Sequence, residues 1–135
     1  MNWLSEAQKS LASAETVCVG CARALTLRLC TLFLHRLGEP LASELVALLP
    51  EREQTLFSGA LTELGAGDAS IGYPDFEQHA AALAGDCHAN RLIDAFLSGL
   101  RIGLPESIEA RIAAALPLEL RVPFSGKPWK TEKVA

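Results

Sequence analysis

Two stretches of sequence, ARALTLRLCTLFLHRL at residues 22–37 and ANRLIDAFLSGLRIGL at residues 89–104, decide the fold of this chain of 135 residues. In both stretches apolar residues recur every three or four positions, which is the spacing of one face of an α-helix. The second stretch begins 67 positions after the first, and the two align without a gap. They predict two long helices that occupy the same place in two copies of one unit.

Short motifs outside the long helices align at the same shift. They are the Leu-Pro pairs at 49–50 and 116–117 and the Phe-Ser-Gly triplets at 57–59 and 124–126. Self-similarity at a fixed period is the mark of a repeat architecture. The chain is therefore predicted to be a tandem duplication, with repeats at about 1–59 and 68–124.

Each repeat is predicted to hold about three helices. An amphipathic segment precedes each long helix, at 2–12 and 75–84, and a shorter helix follows it after Pro40 or Pro105. No segment has the strict alternation of apolar and polar residues that is typical of a strand. The predicted fold class is all-α, with the two tandem helical repeats forming one helical bundle over residues 1–124.

Glycines give three further expectations. The segment 58–74 is rich in glycine and is predicted to be a flexible linker, and residues 125–135 are predicted to be a flexible basic tail. Gly99 and Gly103 lie four positions apart on the apolar side of the second long helix. Because glycine has no side chain, this pair is expected to let a neighbouring backbone approach closely.

The whole pattern resembles a bacterial family known as domain of unknown function 2267, whose members look like a doubled helical unit. The resemblance is clearest in the second repeat, at Asp75-Phe76, Leu104-Pro105, Leu116-Pro117 and Phe124. In the first repeat it rests on residues 22–57. The resemblance implies a tandem helical repeat, and it carries over no catalytic residue because that family has no assigned activity.

A C-x-x-C motif, Cys18-Val19-Gly20-Cys21, is the sharpest chemical feature of the chain. At the repeat shift Gly20-Cys21 aligns with Cys87-His88, so Cys18, Cys21, Cys87 and His88 could form a tetrahedral zinc site that joins the two repeats. The alternative is that these cysteines behave as small apolar residues in buried helices. A thioredoxin-like dithiol is disfavoured, since no strand is predicted before Cys18.

Other features argue against catalysis and against nucleic-acid binding. The histidines have no Ser or Asp residue at a spacing typical of a catalytic Ser-His-Asp arrangement, and the sequence has no glycine-rich phosphate loop. An enzyme is therefore not predicted. Lys127, Lys130 and Lys133 flank Trp129 in a mixture that could touch phosphate and stack on a base. With a formal net charge of −4, however, the chain is not expected to bind nucleic acid.

The most apolar stretch, residues 17–34, raises the question of a membrane. It contains Arg23 and Arg28, each of which costs about 2.5–3.5 kcal/mol near the centre of a bilayer. We therefore expect a buried helix instead of a membrane span. The N-terminus has no basic and apolar leader pattern, which favours a cytoplasmic location.

The sequence favours a non-enzymatic helical module that binds a protein partner or a second copy of itself. Half of the residues are hydrophobic, more than a repeat of this size needs for its own core. The expected contact residues are apolar side chains near the N-terminus, the repeat ends and the tail: Trp3, Leu4, Leu11, Phe57, Phe124 and Trp129. The alternative function is a thiol- or zinc-dependent regulatory protein that uses Cys18, Cys21 and Cys87.

Overall fold

The computed structural model describes residues 2–14, 19–62, 67–68, 70–84 and 89–127. Every regular element in these ranges is helical, which confirms the all-α prediction. Of the predicted tail, only residues 125–127 fall within them. None of the described helices is long and apolar enough to cross a bilayer.

The helices follow one another with short connections. They are α1 (Trp3–Ala14), α2 (Val19–Leu37), α3 (Leu41–Ala47), α4 (Glu51–Gln54), a 3₁₀ turn (Thr55–Phe57), α5 (Ser58–Leu61), α6 (Tyr73–Ala84), α7 (Ala89–Ile102), α8 (Glu106–Ala115) and α9 (Leu118–Phe124). A proline stands directly ahead of α3, α4, α8 and α9. Proline suits this place because the first residues of a helix have no intrahelical partner for their N–H groups.

Of the predicted linker 58–74, the structure describes residues 58–62, 67–68 and 70–74. Its first four residues form α5, and its last part is attached to the end of α2. The Asp68 N–H donates to the His35 carbonyl over 2.8 Å, and the Arg36 guanidinium donates to the Ile71 carbonyl over 3.1 Å. These two hydrogen bonds attach Asp68 and Ile71 to α2, which a count of glycines does not reveal.

Helix α6 begins at Tyr73, two residues before the predicted start at Asp75. Its first N–H groups are satisfied by two carboxylates. The Gly72 N–H donates to Asp75 over 2.8 Å, and the Tyr73 N–H donates to Glu119 of α9 over 3.1 Å. The second carboxylate comes from a distant part of the sequence, and this explains why local capping rules placed the start too late.

A single hydrophobic core contains side chains from the whole described chain. At its centre Phe96 of α7 lies between Phe33 of α2 and Phe76 of α6, with ring centroids 6.2 and 6.5 Å away. The first ring pair meets edge to face, an arrangement that adds to the gain from burial alone. Helices α2, α6 and α7 therefore meet in one core.

Helix α1 packs chiefly along α7, although more than 70 positions separate Ala14 from Ala89 in the sequence. Gly99 and Gly103 are the reason. A Cβ atom on Gly99 would lie 2.5 Å from the Ser10 Cβ and 2.9 Å from the Glu6 carbonyl oxygen, and one on Gly103 would lie 2.6 Å from the Trp3 Cα. The expected close approach of a neighbouring backbone at these two glycines is confirmed.

This contact gives a first prediction, on Gly103→Ala. The added methyl group meets backbone atoms of Trp3, which cannot move without shifting α1, so the free energy of unfolding should fall by about 1–3 kcal/mol. Gly99→Ala should also lower the free energy of unfolding, although the better helix propensity of alanine offsets up to about 1 kcal/mol of the loss. Urea unfolding followed by circular dichroism measures both.

Gly59→Ala is the matched control, because nothing lies within 4 Å of a Cβ atom at that position. Gly59 is part of α5, so alanine there should leave the stability unchanged or raise it by up to about 1 kcal/mol. Equal effects of Gly103→Ala and Gly59→Ala would contradict the close contact between α1 and α7.

Candidate functional site

The apolar residues expected at a contact surface lie in the chain's own core. Their side chains are almost fully buried, with relative exposures of 5% or less: Trp3, Leu4, Leu11, Phe57 and Phe124. The expectation that they are exposed is therefore corrected. The apolar face of α1 is covered by α7, a pairing that depends on the two glycines. Trp129 lies outside the described residues.

Trp3 nevertheless marks one end of the bundle, where four elements meet. Its indole Nε1 donates a buried hydrogen bond of 2.9 Å to the Leu45 carbonyl of α3. Its ring lies 6.3 Å from the Phe57 ring at the end of the 3₁₀ turn. The Trp3 backbone lies against Gly103, directly after α7. Trp3 thus joins the start of α1 to α3, to the 3₁₀ turn and to the end of α7.

Three large aliphatic side chains that are close in sequence to these contacts of Trp3 are exposed. Leu48 is 40% exposed, and its N–H donates to the same Leu45 carbonyl that accepts from Trp3. Leu56, directly before Phe57, is 44% exposed, and Ile102, directly before Gly103, is 66% exposed. We call Leu48, Leu56 and Ile102 the Trp3-end surface. Sequence analysis identified the buried residues beneath this surface and missed the exposed ones.

Charged side chains link helices to one another at several places. The Asn2 side chain donates to Glu53 of α4 over 3.3 Å, and Arg101 of α7 pairs with Glu109 of α8 over 3.2 Å. Arg111 of α8 forms two hydrogen bonds with Glu44 of α3. The hydrogen bonds from Arg111 lower the pKa of the Glu44 carboxyl. These charges have structural partners.

Tyr73 is a buried polar group at the start of α6. Its hydroxyl lies 3.4 Å from both the Asn90 carbonyl and an Asp94 carboxylate oxygen. Burial, followed by the negative charge of Asp94, raises the pKa of this phenol well above its usual range. Tyr73 therefore stays protonated at neutral pH and acts as a hydrogen-bond donor inside the bundle.

Only one residue of the predicted zinc set is described. Cys21 is exposed near the start of α2, whereas Cys18, Cys87 and His88 lie outside the described residues. Within the ranges that the structure describes, no three His, Cys, Asp or Glu side chains are grouped as a metal site would require. The zinc hypothesis therefore stays a prediction.

Cys30 contrasts with Cys21. It lies fully buried in α2, and this burial strongly raises the pKa of its thiol. Cys30 is therefore a small apolar residue of the core, because the reactive form of cysteine is the thiolate.

The two thiols should differ in reactivity. In the native protein at pH 8, iodoacetamide should modify Cys21 readily, and it should leave Cys30 unmodified until the chain is unfolded in urea. Peptide mapping by mass spectrometry assigns the modified residue. Rapid native labelling of Cys30 would contradict its place in the core.

Two open grooves of similar size lie on the described surface. One, of about 250 Å³, runs between α1 and α2 and is lined by Ser5, Gln8, Lys9, Ala12 and Ala22. The other, of about 260 Å³, lies between α2 and α6 and is lined by Arg28, Gln78, His79 and Ala82. No local motif predicts the second groove, because Arg28 and His79 are 51 positions apart in the sequence.

Comparison of the chain with protein-family models, with curated proteins and with solved structures gave no match.

Proposed function

We propose that this protein is a non-enzymatic helical interaction module that binds a second copy of itself or another protein through the Trp3-end surface. One observation carries the proposal. Leu48, Leu56 and Ile102 are 40–66% exposed, and each is close in sequence to a residue that contacts Trp3. We infer that these three side chains, which come from separate elements, form one surface next to the contacts of the buried tryptophan.

Physical chemistry favours a protein as the ligand of this surface. Covering an apolar surface gains about 25 cal/mol for each Å² removed from water, and large aliphatic side chains offer much of that area. Rigid support keeps the entropic cost of binding low, because the side chains below are already ordered. The Trp3 indole, with its hydrogen bond to Leu45, supplies such support.

The tandem duplication is part of the proposal. Two reciprocal contacts support it: α1 of the first repeat packs on α7 of the second, and α6 of the second packs on α2 of the first. Glu44 and Arg111, which hydrogen-bond to each other, occupy positions 67 apart, the same shift that aligns the repeats. Residues near a two-fold axis contact their own counterparts, so this pair marks where a pseudo-two-fold axis would pass.

The two repeats differ where the sequence predicts that they should. At the positions of Gly99 and Gly103, the first repeat has Leu32 and Arg36. Helix α6 accordingly packs less extensively on α2 than α1 does on α7. Arg36 donates a hydrogen bond to the Ile71 carbonyl, just before α6. We infer that the resemblance to domain of unknown function 2267 reflects this doubled unit.

The partners of the charged side chains bear on the other parts of the proposal, which concern catalysis and nucleic-acid binding. Three arginines bind groups of the protein itself: Arg101, Arg111 and Arg36. Because these side chains link parts of the fold, they support a scaffold protein over an enzyme or a nucleic-acid binder. The acidic balance of the chain also disfavours nucleic acid. We place the protein in the cytoplasm, with no membrane among its partners and no cofactor required.

The experiment is light scattering after size exclusion, over a dilution series of the purified full-length chain. The wild type should associate as its concentration rises, or should retain a specific protein from its native lysate. A triple variant, Leu48→Gln with Leu56→Gln and Ile102→Gln, should lose that association and keep its helical circular dichroism, because all three side chains are exposed.

Leu83→Gln with Leu118→Gln is the matched control. These leucines are 40% and 61% exposed on α6 and α9, and neither is a sequence neighbour of Leu45, Phe57 or Gly103. The control should associate as the wild type does. A wild type that is monomeric at every concentration and retains no protein would contradict the proposal, as would equal loss in the control.

The thiol or zinc alternative has one supporting observation, the exposed position of Cys21 at the start of α2. We propose it as the second candidate function, with Cys18, Cys21, Cys87 and His88 as the ligands. Elemental analysis of protein purified without an affinity tag tests it. Stoichiometric zinc that is lost in a Cys21→Ser variant supports the alternative, and metal-free protein with full stability would exclude it.

A further inference from the structure

The groove between α2 and α6 contains an unusual pair of basic side chains. The Arg28 Nη1 lies 3.4 Å from the His79 Nδ1, and both side chains line a groove of about 260 Å³. Arginine is always charged in proteins and has only donors to offer. In the tautomer of His79 that accepts at Nδ1, the ring N–H lies on Nε2 and is a second donor.

Arg28 differs from the other arginines that link helices. Arg101 and Arg111 pair with glutamates, and Arg36 donates to backbone carbonyls. Among the described residues, His79 is the one hydrogen-bond partner of Arg28, and the imidazole supplies no negative charge. The Arg28 guanidinium is exposed to solvent, and no carboxylate is among the described residues that line its groove.

We propose that this groove binds an oxyanion, the carboxylate or phosphate-type group of a ligand. Arginine recognises such groups through two parallel N–H donors, and only Nη1 of Arg28 is engaged with His79. The Nε and Nη2 edge can therefore face two oxygens of one anion. His79 Nε2 and the Gln78 amide, which line the same groove, supply further donors.

The room for a ligand comes from a small residue. Ala82 lines the groove one helical turn after Gln78, so the wall there carries no long side chain. The groove is open to solvent, so it can also admit an oxyanion that belongs to a larger molecule or peptide. This proposal does not depend on the Trp3-end surface, which involves other helices.

The test is a titration of the full-length chain with sodium sulfate and, separately, with sodium acetate, followed by two-dimensional NMR at constant ionic strength. Saturable shifts should appear at the His79 ring and at the backbone amides of Gln78 and Arg28. Arg28→Ala should weaken binding by about tenfold, the range for one charge-assisted pair of hydrogen bonds. Arg28→Lys should weaken it by about threefold, since lysine keeps the charge and loses the planar fork.

Arg23→Ala is the matched control, because Arg23 is an exposed arginine on the same helix that does not line the groove. It removes the same charge and should bind the anion as the wild type does. If Arg23→Ala and Arg28→Ala weaken anion binding equally, the loss reflects the net charge of the protein and not a site at Arg28. That result would overturn the proposal. Arg28→Lys binding as tightly as the wild type would overturn the two-oxygen contact.

The two anions distinguish the source of the ligand. Stronger binding of acetate identifies a carboxylate, and stronger binding of sulfate identifies a phosphate-type group. Shifts that are linear in concentration for both anions, with no saturation and no dependence on Arg28, would refute the site. Light scattering of the same samples measures association through the Trp3-end surface. It therefore shows separately whether the anion site or the interaction module has failed its test.

Discussion

The close contact between α1 and α7 is the constraint on which the rest of the described structure depends. Gly99 and Gly103 bring the two backbones together, and the contact places the Trp3 side chain among α3, the 3₁₀ turn and α7. Without it, the apolar face of α1 would be exposed to water at a cost of about 1.5–3 kcal/mol for each large side chain. The same contact joins apolar side chains of α1 to those of α7 in one core.

Most of the helical architecture could be predicted from the sequence, because it depends on local patterns. The 3.6-residue periodicity of residues 22–37 and 89–104 predicted both long helices, and the two glycines predicted a tight packing site. The start of α6 and the attachment of Asp68 and Ile71 to α2 could not be predicted. Both involve hydrogen bonds between residues far apart in the sequence, such as Tyr73 to Glu119 and Arg36 to Ile71, which no local rule includes.

The candidate surfaces were less predictable for a related reason. Apolar residues at helical spacing identify a buried face, but they do not say which neighbouring helix covers it. Trp3 and Phe57 were therefore expected at an exposed contact surface, whereas the structure buries them under α7 and α3 and leaves Leu48, Leu56 and Ile102 exposed. The groove at Arg28 and His79 needs the packing of α2 on α6, a tertiary pairing that carries no sequence signal of its own.

The central claim is that α1 is an integral part of one cooperative core. Native-state hydrogen exchange across a series of low urea concentrations tests this most directly, because it reports the free energy of opening for each helix. The account predicts that amides of Ala7 and Leu11 in α1 and of Phe96 and Leu100 in α7 exchange with the same free energy and the same urea dependence. Exchange of α1 at a much lower free energy than α7 would contradict it.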